Sequence, residues 1–163
     1  MIRPMTMEDL DSVLEIYNDA ILNTTALYRT EPETLEGKQR WFLEIEKENN
    51  PMFVYEEDGE VVGFAAFKRF VSNEGYKYSM EHSVYVSAKH RGKGIGKKLL
   101  QKLIEEAKKR EVRTLIAVID SDNIASIKLH EQFGFHFAGR LQHVGYKFGK
   151  WLDIVYYQLE LYE

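Results

Sequence analysis

The chain has 163 residues, a formal net charge of −4 and no cysteine. That length fits one domain, 1–163, with a sizeable core. The acidic balance argues against a general nucleic-acid binder. The lack of cysteine excludes disulfides, thiolate metal sites and a cysteine nucleophile, and no apolar run approaches the roughly 18 residues of a membrane span.

No secretory pattern follows Met1, so the expected location is the cytoplasm. Met1 to Pro4 reads as a short strand. Thr6-x-x-Asp9 is a variant capping box that starts a helix with Leu10, Val13, Leu14, Tyr17 and Ile21 as its apolar stripe. Asn18, Asn23, Thr24 and Thr25 near its end fit turn chemistry or a ligand-facing loop, and Tyr28 is an aromatic candidate there. A second helix is expected from about Thr34 to Glu48, with Leu35, Phe42 and Ile45 inward and Trp41 in the core or at an interface.

Met52 to Tyr55 and Glu60 to Phe70 read as strands joined at Asp58-Gly59, a strong hairpin signal. Tyr76 to Val86 reads as the next strand. Its alternation sends Lys77, Ser79, Glu81, Ser83 and Tyr85 to one face, and His82, Val84 and Val86 to the other.

The most informative stretch runs from Ser83 to Arg110, a strand, a basic glycine-rich loop and a long helix. The helix follows from Ile95, Leu99, Leu100, Leu103, Ile104 and Ala107, which share one face at a 3.6-residue period. Gly92, Gly94 and Gly96 leave backbone N–H groups bare where that helix begins, and Arg91, Lys93 and Lys97 add positive charge. Unpaired donors and the helix dipole make such a terminus a site for pyrophosphate. The P-loop pattern fails, because no Gly-Lys-Ser/Thr stands at the required spacing. The dinucleotide fingerprint is a closer rival, with Asp120 ending the next strand. However, Ala88 to Arg91 separate the strand from the first glycine.

Arg113 to Ile119 is a continuous apolar strand, as expected for one covered on both faces. Asp122 or Asn123 can cap a helix carrying Ile124, Ile127, Leu129 and Phe133, with Gly134 as its stop. Phe135 to Lys147 and Trp151 to Leu161 form two final strands. The sum is an α/β domain with a mostly antiparallel sheet and about four helices.

Arg91-x-x-Gly94-x-Gly96 resembles the pyrophosphate-binding signature of the GCN5-related N-acetyltransferases (GNAT). Glu81 to Val86, Ala117-Val-Ile119, Ser126-x-Lys-Leu-His-Glu131, Gly134-Phe135 and Gly145 to Trp151 are similar to the phosphinothricin and methionine sulfoximine/sulfone acetyltransferase branch. The resemblance implies the GNAT fold and transfer of an acetyl group from acetyl-CoA to a small amino-acid-like amine, without a metal. It also implies a homodimer, which the aromatic strand from Trp151 to Tyr157 could support; the acidic charge and the lack of a long apolar run point to no nucleic-acid or membrane partner. Two alternatives stay open: acetylation of a peptide, protein N-terminus or polyamine, and a CoA-binding module without turnover.

On the resemblance, Arg91, Gly92, Lys93, Gly94, Ile95, Gly96 and Lys97 hold the pyrophosphate, and Val84, Tyr85 and Val86 pair with the pantetheine arm. Val86 N–H serves as oxyanion donor, Asn123 holds the arm, and Lys128 approaches the CoA phosphates. Glu81, on its residues alone, is either a strand carboxylate paired with Lys77 or Lys68 or a group placed for proton work. The resemblance makes it the general base. His130 is either an ordinary helix histidine or, by resemblance, the general acid at the CoA sulfur. His82 faces away from Glu81 and reads as structural. Tyr28, Lys77 and Glu81 are the substrate-binding candidates. Val71 stands where that branch is expected to carry an arginine, and Lys77 could supply an anionic contact in its place.

Overall fold

Alternation along the strands sets the layers. In a computed structural model describing residues 1–162, seven strands form one sheet: β1 (Ile2–Pro4), β2 (Met52–Glu57), β3 (Glu60–Arg69), β4 (Ser79–Val86), β5 (Thr114–Asp120), β6 (His136–Lys147) and β7 (Lys150–Glu160). Their order is β1-β2-β3-β4-β5-β7-β6. Every pairing is antiparallel except β4 with β5. The helices are α1 (Leu10–Asn23), α2 (Leu35–Lys47), α3 (Ile95–Lys109) and α4 (Ile124–Gln132). Among the described residues no helix is long and apolar enough to cross a membrane.

Two cores flank the sheet. Met52, Val54, Phe64 and Ala66 pack with α1 and α2 through Leu10, Val13, Ile16, Phe42 and Ile45. Phe53, Ala65, Phe67 and Met80 pack on the other side with the apolar stripe of α3 and with Phe135. Both β2 and β3 thus alternate between two buried layers, which is why their sequences read as almost continuous apolar runs. Asp58 and Gly59 take φ of 52° and 79° and close the β2–β3 hairpin.

Several boundaries differ from the sequence expectation. The strand expected from Tyr76 begins at Ser79. Glu74 to Tyr76 instead form a 3₁₀ turn, with the Asn73 side chain accepting from Gly75 N–H. Lys77 therefore lies outside the strand. Leu35 is exposed rather than inward, because α2 begins there with Thr34 accepting from Gly37 N–H. The Thr6 box opens a 3₁₀ turn ahead of α1, and its Asp9 carboxylate also accepts two bonds of 2.8 Å from Arg3. A local capping pattern thereby also ties β1 to the start of the first helix.

Leu99 of α3 is fully buried, with its side chain against Gly63 of β3. Leu99→Ala should cost about 3 kcal/mol in denaturant unfolding, the middle of the range for buried leucine truncation. A loss below about 1 kcal/mol would mean that α3 is not clamped to the sheet as described.

Candidate active site

Three features converge where β4 ends. The first is a cradle of bare N–H groups at the start of α3. Gly92 and Gly94 both have φ of 80°, and Gly94 stands at the N-cap of α3 without a side-chain cap. Positive φ is strained for most residues with a Cβ, so glycine is favoured at both positions. The first helical bond recorded there is Lys98 N–H to Gly94 O at 3.1 Å. The N–H groups of Ile95, Gly96 and Lys97 thus point out of the helix without partners among the described residues. A Cβ on Gly96 would lie 3.7 Å from Val86 and 3.9 Å from Val84 and Leu129, so the cradle abuts β4 and α4.

The second feature is a gap in the sheet. β4 pairs with β5 only from Ser79 to Glu81, against Thr114 to Ile116. β5 continues to Asp120 along β7, and β4 continues to Val86 along β3. The β5-facing edge of His82 to Val86 therefore has no strand partner, and the gap begins beside Glu81.

The third feature is a cavity of about 290 Å³ on the α1–α2 side of the sheet. Glu81, Ser83 and Tyr85 reach it from β4, Phe64 and Lys68 from β3, Tyr17 from α1, Leu27 and Arg29 from the following loop, and Lys38 and Trp41 from α2. Burial raises the Glu81 carboxyl above its ordinary value, and the opposing pull of Lys68 is weaker. Lys38 is 3% exposed, with its ammonium 3.6 Å from the Tyr17 ring centre and 4.1 Å from that of Trp41. Burial lowers its pKa to about 8. Arg29 is held by Glu33 at 3.0 Å. One half-buried carboxyl thus shares a small cavity with several cations.

On the opposite face, His82 and His130 form a buried pair, Nε2 to Nε2 at 2.9 Å. His130 Nδ1 lies 2.7 Å from Ser126 O. A carbonyl only accepts, so Nδ1 carries the proton, His130 Nε2 accepts, and His82 Nε2 donates. Burial lowers both pKa values, that of His82 to about 3, and His82 Nδ1 has no partner. The His130 Nδ1 proton is thus committed to the backbone and its Nε2 lone pair to His82. In this arrangement it has no proton free for a leaving sulfur. His82, read as merely structural, fixes that state.

Other expected residues also land elsewhere. Tyr28 turns away from the cavity, its hydroxyl donating to Asp120 Oδ1 at 2.6 Å and lying 2.9 Å from Asp153 O. Its ring fills the space above Gly145. Tyr28 thus pins the loop, while its neighbours Leu27 and Arg29 face the cavity. Lys77 is exposed, near the Tyr78 ring, and does not line the cavity. Asn123 caps α4 by accepting from Ser126 N–H at 3.2 Å, which leaves its amide NH₂ for a ligand. Lys128 is exposed on α4. Lys38 escaped the sequence reading. The available signal was a lysine three residues before Trp41 on the inward side of an amphipathic helix.

The chain is similar to known proteins over most of its length. A profile described as the acetyltransferase (GNAT) family matches residues 12–135. The chain is 43% identical over 161 residues to an L-methionine sulfoximine/L-methionine sulfone acetyltransferase of Pseudomonas aeruginosa, covering 98% of this chain and 94% of that one. It is 34% identical over 159 residues to a phosphinothricin N-acetyltransferase of Streptomyces viridochromogenes, covering 96% and 85%. It superposes with a TM-score of 0.97, at 40% identity, on the Salmonella typhimurium acetyltransferase YncA solved with its cofactor acetyl-CoA, covering 100% and 94%.

The histidine pair makes a pH prediction. A histidine whose folded pKa is depressed binds fewer protons folded than unfolded. Its stability contribution is full above its ordinary value of 6.5 and is lost as pH falls toward about 3. Between pH 7 and pH 5, His82 alone should cost about 2 kcal/mol. Denaturant unfolding should show this loss in the wild type and much less of it in a His82→Leu, His130→Leu double variant. Equal losses in both proteins would contradict the neutral-pair assignment.

Proposed function

The chain belongs to the acetyltransferase (GNAT) family, and from that premise we propose that it acetylates the amine of a small amino-acid-like substrate of the methionine sulfone or sulfoximine type. The observation that carries this reading is the gap between β4 and β5, which begins beside Glu81 and runs along the strand that the start of α3 abuts. The residues present fit acetyl-CoA. Bare N–H groups at the start of α3, with Arg91, Lys93 and Lys97, suit its pyrophosphate. The unpaired edge of Val84, Tyr85 and Val86 suits its amide-bearing arm, and the Asn123 amide at the start of α4 has donors free for it.

When bound, acetyl-CoA supplies an activated acyl carbon on which the new C–N bond forms as the C–S bond breaks. Glu81 takes the proton that the substrate ammonium must lose, directly or through one water, and its raised pKa suits that task. Val86 N–H, on the free edge of β4, donates to the oxygen on which negative charge develops. The proton for the departing thiolate comes from solvent, since both nitrogens of His130 are engaged. Glu81 and the edge of β4 thus serve the chemistry, and the histidine pair braces the strand from behind.

The same reading includes a homodimer. β6 is an edge strand, and Phe137, Leu141, Val144, Tyr146 and Trp151 are exposed along the β6–β7 ribbon. An apolar ribbon of that length favours a second copy over water.

A thiol-release assay tests the reading. Wild type should turn over methionine sulfone or sulfoximine with acetyl-CoA. Glu81→Gln should lower kcat/KM by about 10²–10⁴, the usual worth of a positioned general base. Its acetyl-CoA affinity by calorimetry should match wild type. The acid limb of the wild-type pH profile should lie above the ordinary carboxylate value of 4.5 and be absent in Glu81→Gln. No release with any amino acid, or full activity in Glu81→Gln, would overturn the reading.

A further inference from the structure

Lys38 has an unusual setting for a cation. Its side chain is almost wholly buried, yet no hydrogen bond or ion pair to it is present among the described residues. Its ammonium lies against the faces of Tyr17, Trp41 and Phe64, at 3.6, 4.1 and 5.5 Å from their centres. Ring faces attract a cation but accept none of its hydrogen bonds in the manner of an oxygen. The carboxylate that acts on it most strongly, Glu33, is occupied by Arg29 at 3.0 Å and by Thr34 N–H at 2.9 Å. Glu81, in the same cavity, forms no ion pair with it. Lys38 therefore carries the desolvation cost of a buried charge while its donors lack an acceptor from the protein.

We propose that Lys38 is the anchor for the α-carboxylate of the substrate, with Lys68 as an outer cation, so that the cavity reads both ends of a free amino acid. This rests on the acetyltransferase reading above and deepens it. Glu81 receives the ammonium end, and Lys38, held by the aromatic rings, receives the carboxylate end. A second cation at the cavity wall, Lys68, stands opposite Glu81 in the β3–β4 register. The position where an arginine was expected, Val71, is exposed and lies outside the cavity lining, so the anionic contact comes from α2 instead. The cavity volume of about 290 Å³ sits at the small end of ligand pockets, which run roughly 300–1,000 Å³. The site thereby selects free amino acids over peptide N-termini and polyamines, which offer an amine without a neighbouring carboxylate.

The test compares methionine sulfone with its carboxamide, which keeps the amine and removes the negative charge. Wild type should prefer the acid by about 30-fold in kcat/KM, the worth of one charge-assisted contact. Lys38→Met should collapse that preference to within about threefold, mainly by raising KM for the acid, and Lys38→Arg should keep most of it. Circular dichroism and acetyl-CoA affinity establish that each variant is folded. An unchanged acid-to-amide ratio in folded Lys38→Met would overturn the proposal and leave the acetyltransferase reading standing. If wild type releases no thiol with either compound, the methionine sulfone assignment fails, and the acetyltransferase reading is decided by release with other amino acids. Lys38 is then judged by thermal shift with the same two compounds: a shift with the acid that Lys38→Met loses supports the anchor, and its absence overturns it.

Discussion

Backbone N–H and C=O groups inside a sheet are almost always paired, because an orphaned one costs as much as a lost hydrogen bond. From His82 to Val86, one edge of β4 has no ladder, since β5 leaves it after three residues. The rest of the site depends on that parting. It leaves a row of backbone groups for an extended ligand to complete. The start of α3 abuts the same strand on one face of the sheet, and Glu81 looks into the cavity on the other. The glycines of the loop matter for the same reason: a Cβ at Gly92 or Gly94 would strain the turn that starts α3 beside β4.

Strand alternation then divides the labour. Glu81, Ser83 and Tyr85 face the cavity, while His82, Val84 and Val86 face α3 and α4. Neighbouring residues thus meet opposite demands. Glu81 sits where burial and the Lys68 ammonium compete, and burial prevails, which raises its carboxyl above the ordinary value. His82 sits where no charge is tolerated, so it and His130 stay neutral and spend their protons on each other and on the backbone. The rigid pair behind the strand and the titrating group in front of it occupy adjacent positions in the chain.

Much of this was legible in the residues. The 3.6-residue period of α3 and its run of glycines marked the cradle, because helix periodicity and positive φ leave strong local signals. Asp58-Gly59 marked the hairpin, and period-2 alternation put Glu81 and His82 on opposite faces. The rest depends on contacts distant in sequence. Tyr28 reads as a loop aromatic until Asp120, on another strand, takes its hydroxyl. Lys77 reads as a strand residue until Asn73 caps a turn just before it. His130 reads as a proton donor until His82, 48 residues away, occupies the nitrogen in question. Lys38 belongs to an amphipathic helix in which lysine is ordinarily solvated. Only the packing of Tyr17 and Trp41 around it reveals a buried cation.

The most direct measurement is a crystal structure of the chain with CoA and methionine sulfone bound together. The pyrophosphate is expected on the N–H groups at the start of α3 and the pantetheine arm along the free edge of β4. The amine is expected within one water of Glu81 and the carboxylate on Lys38. A substrate seated outside the cavity, or an arm that does not enter the opening between β4 and β5, would contradict this placement.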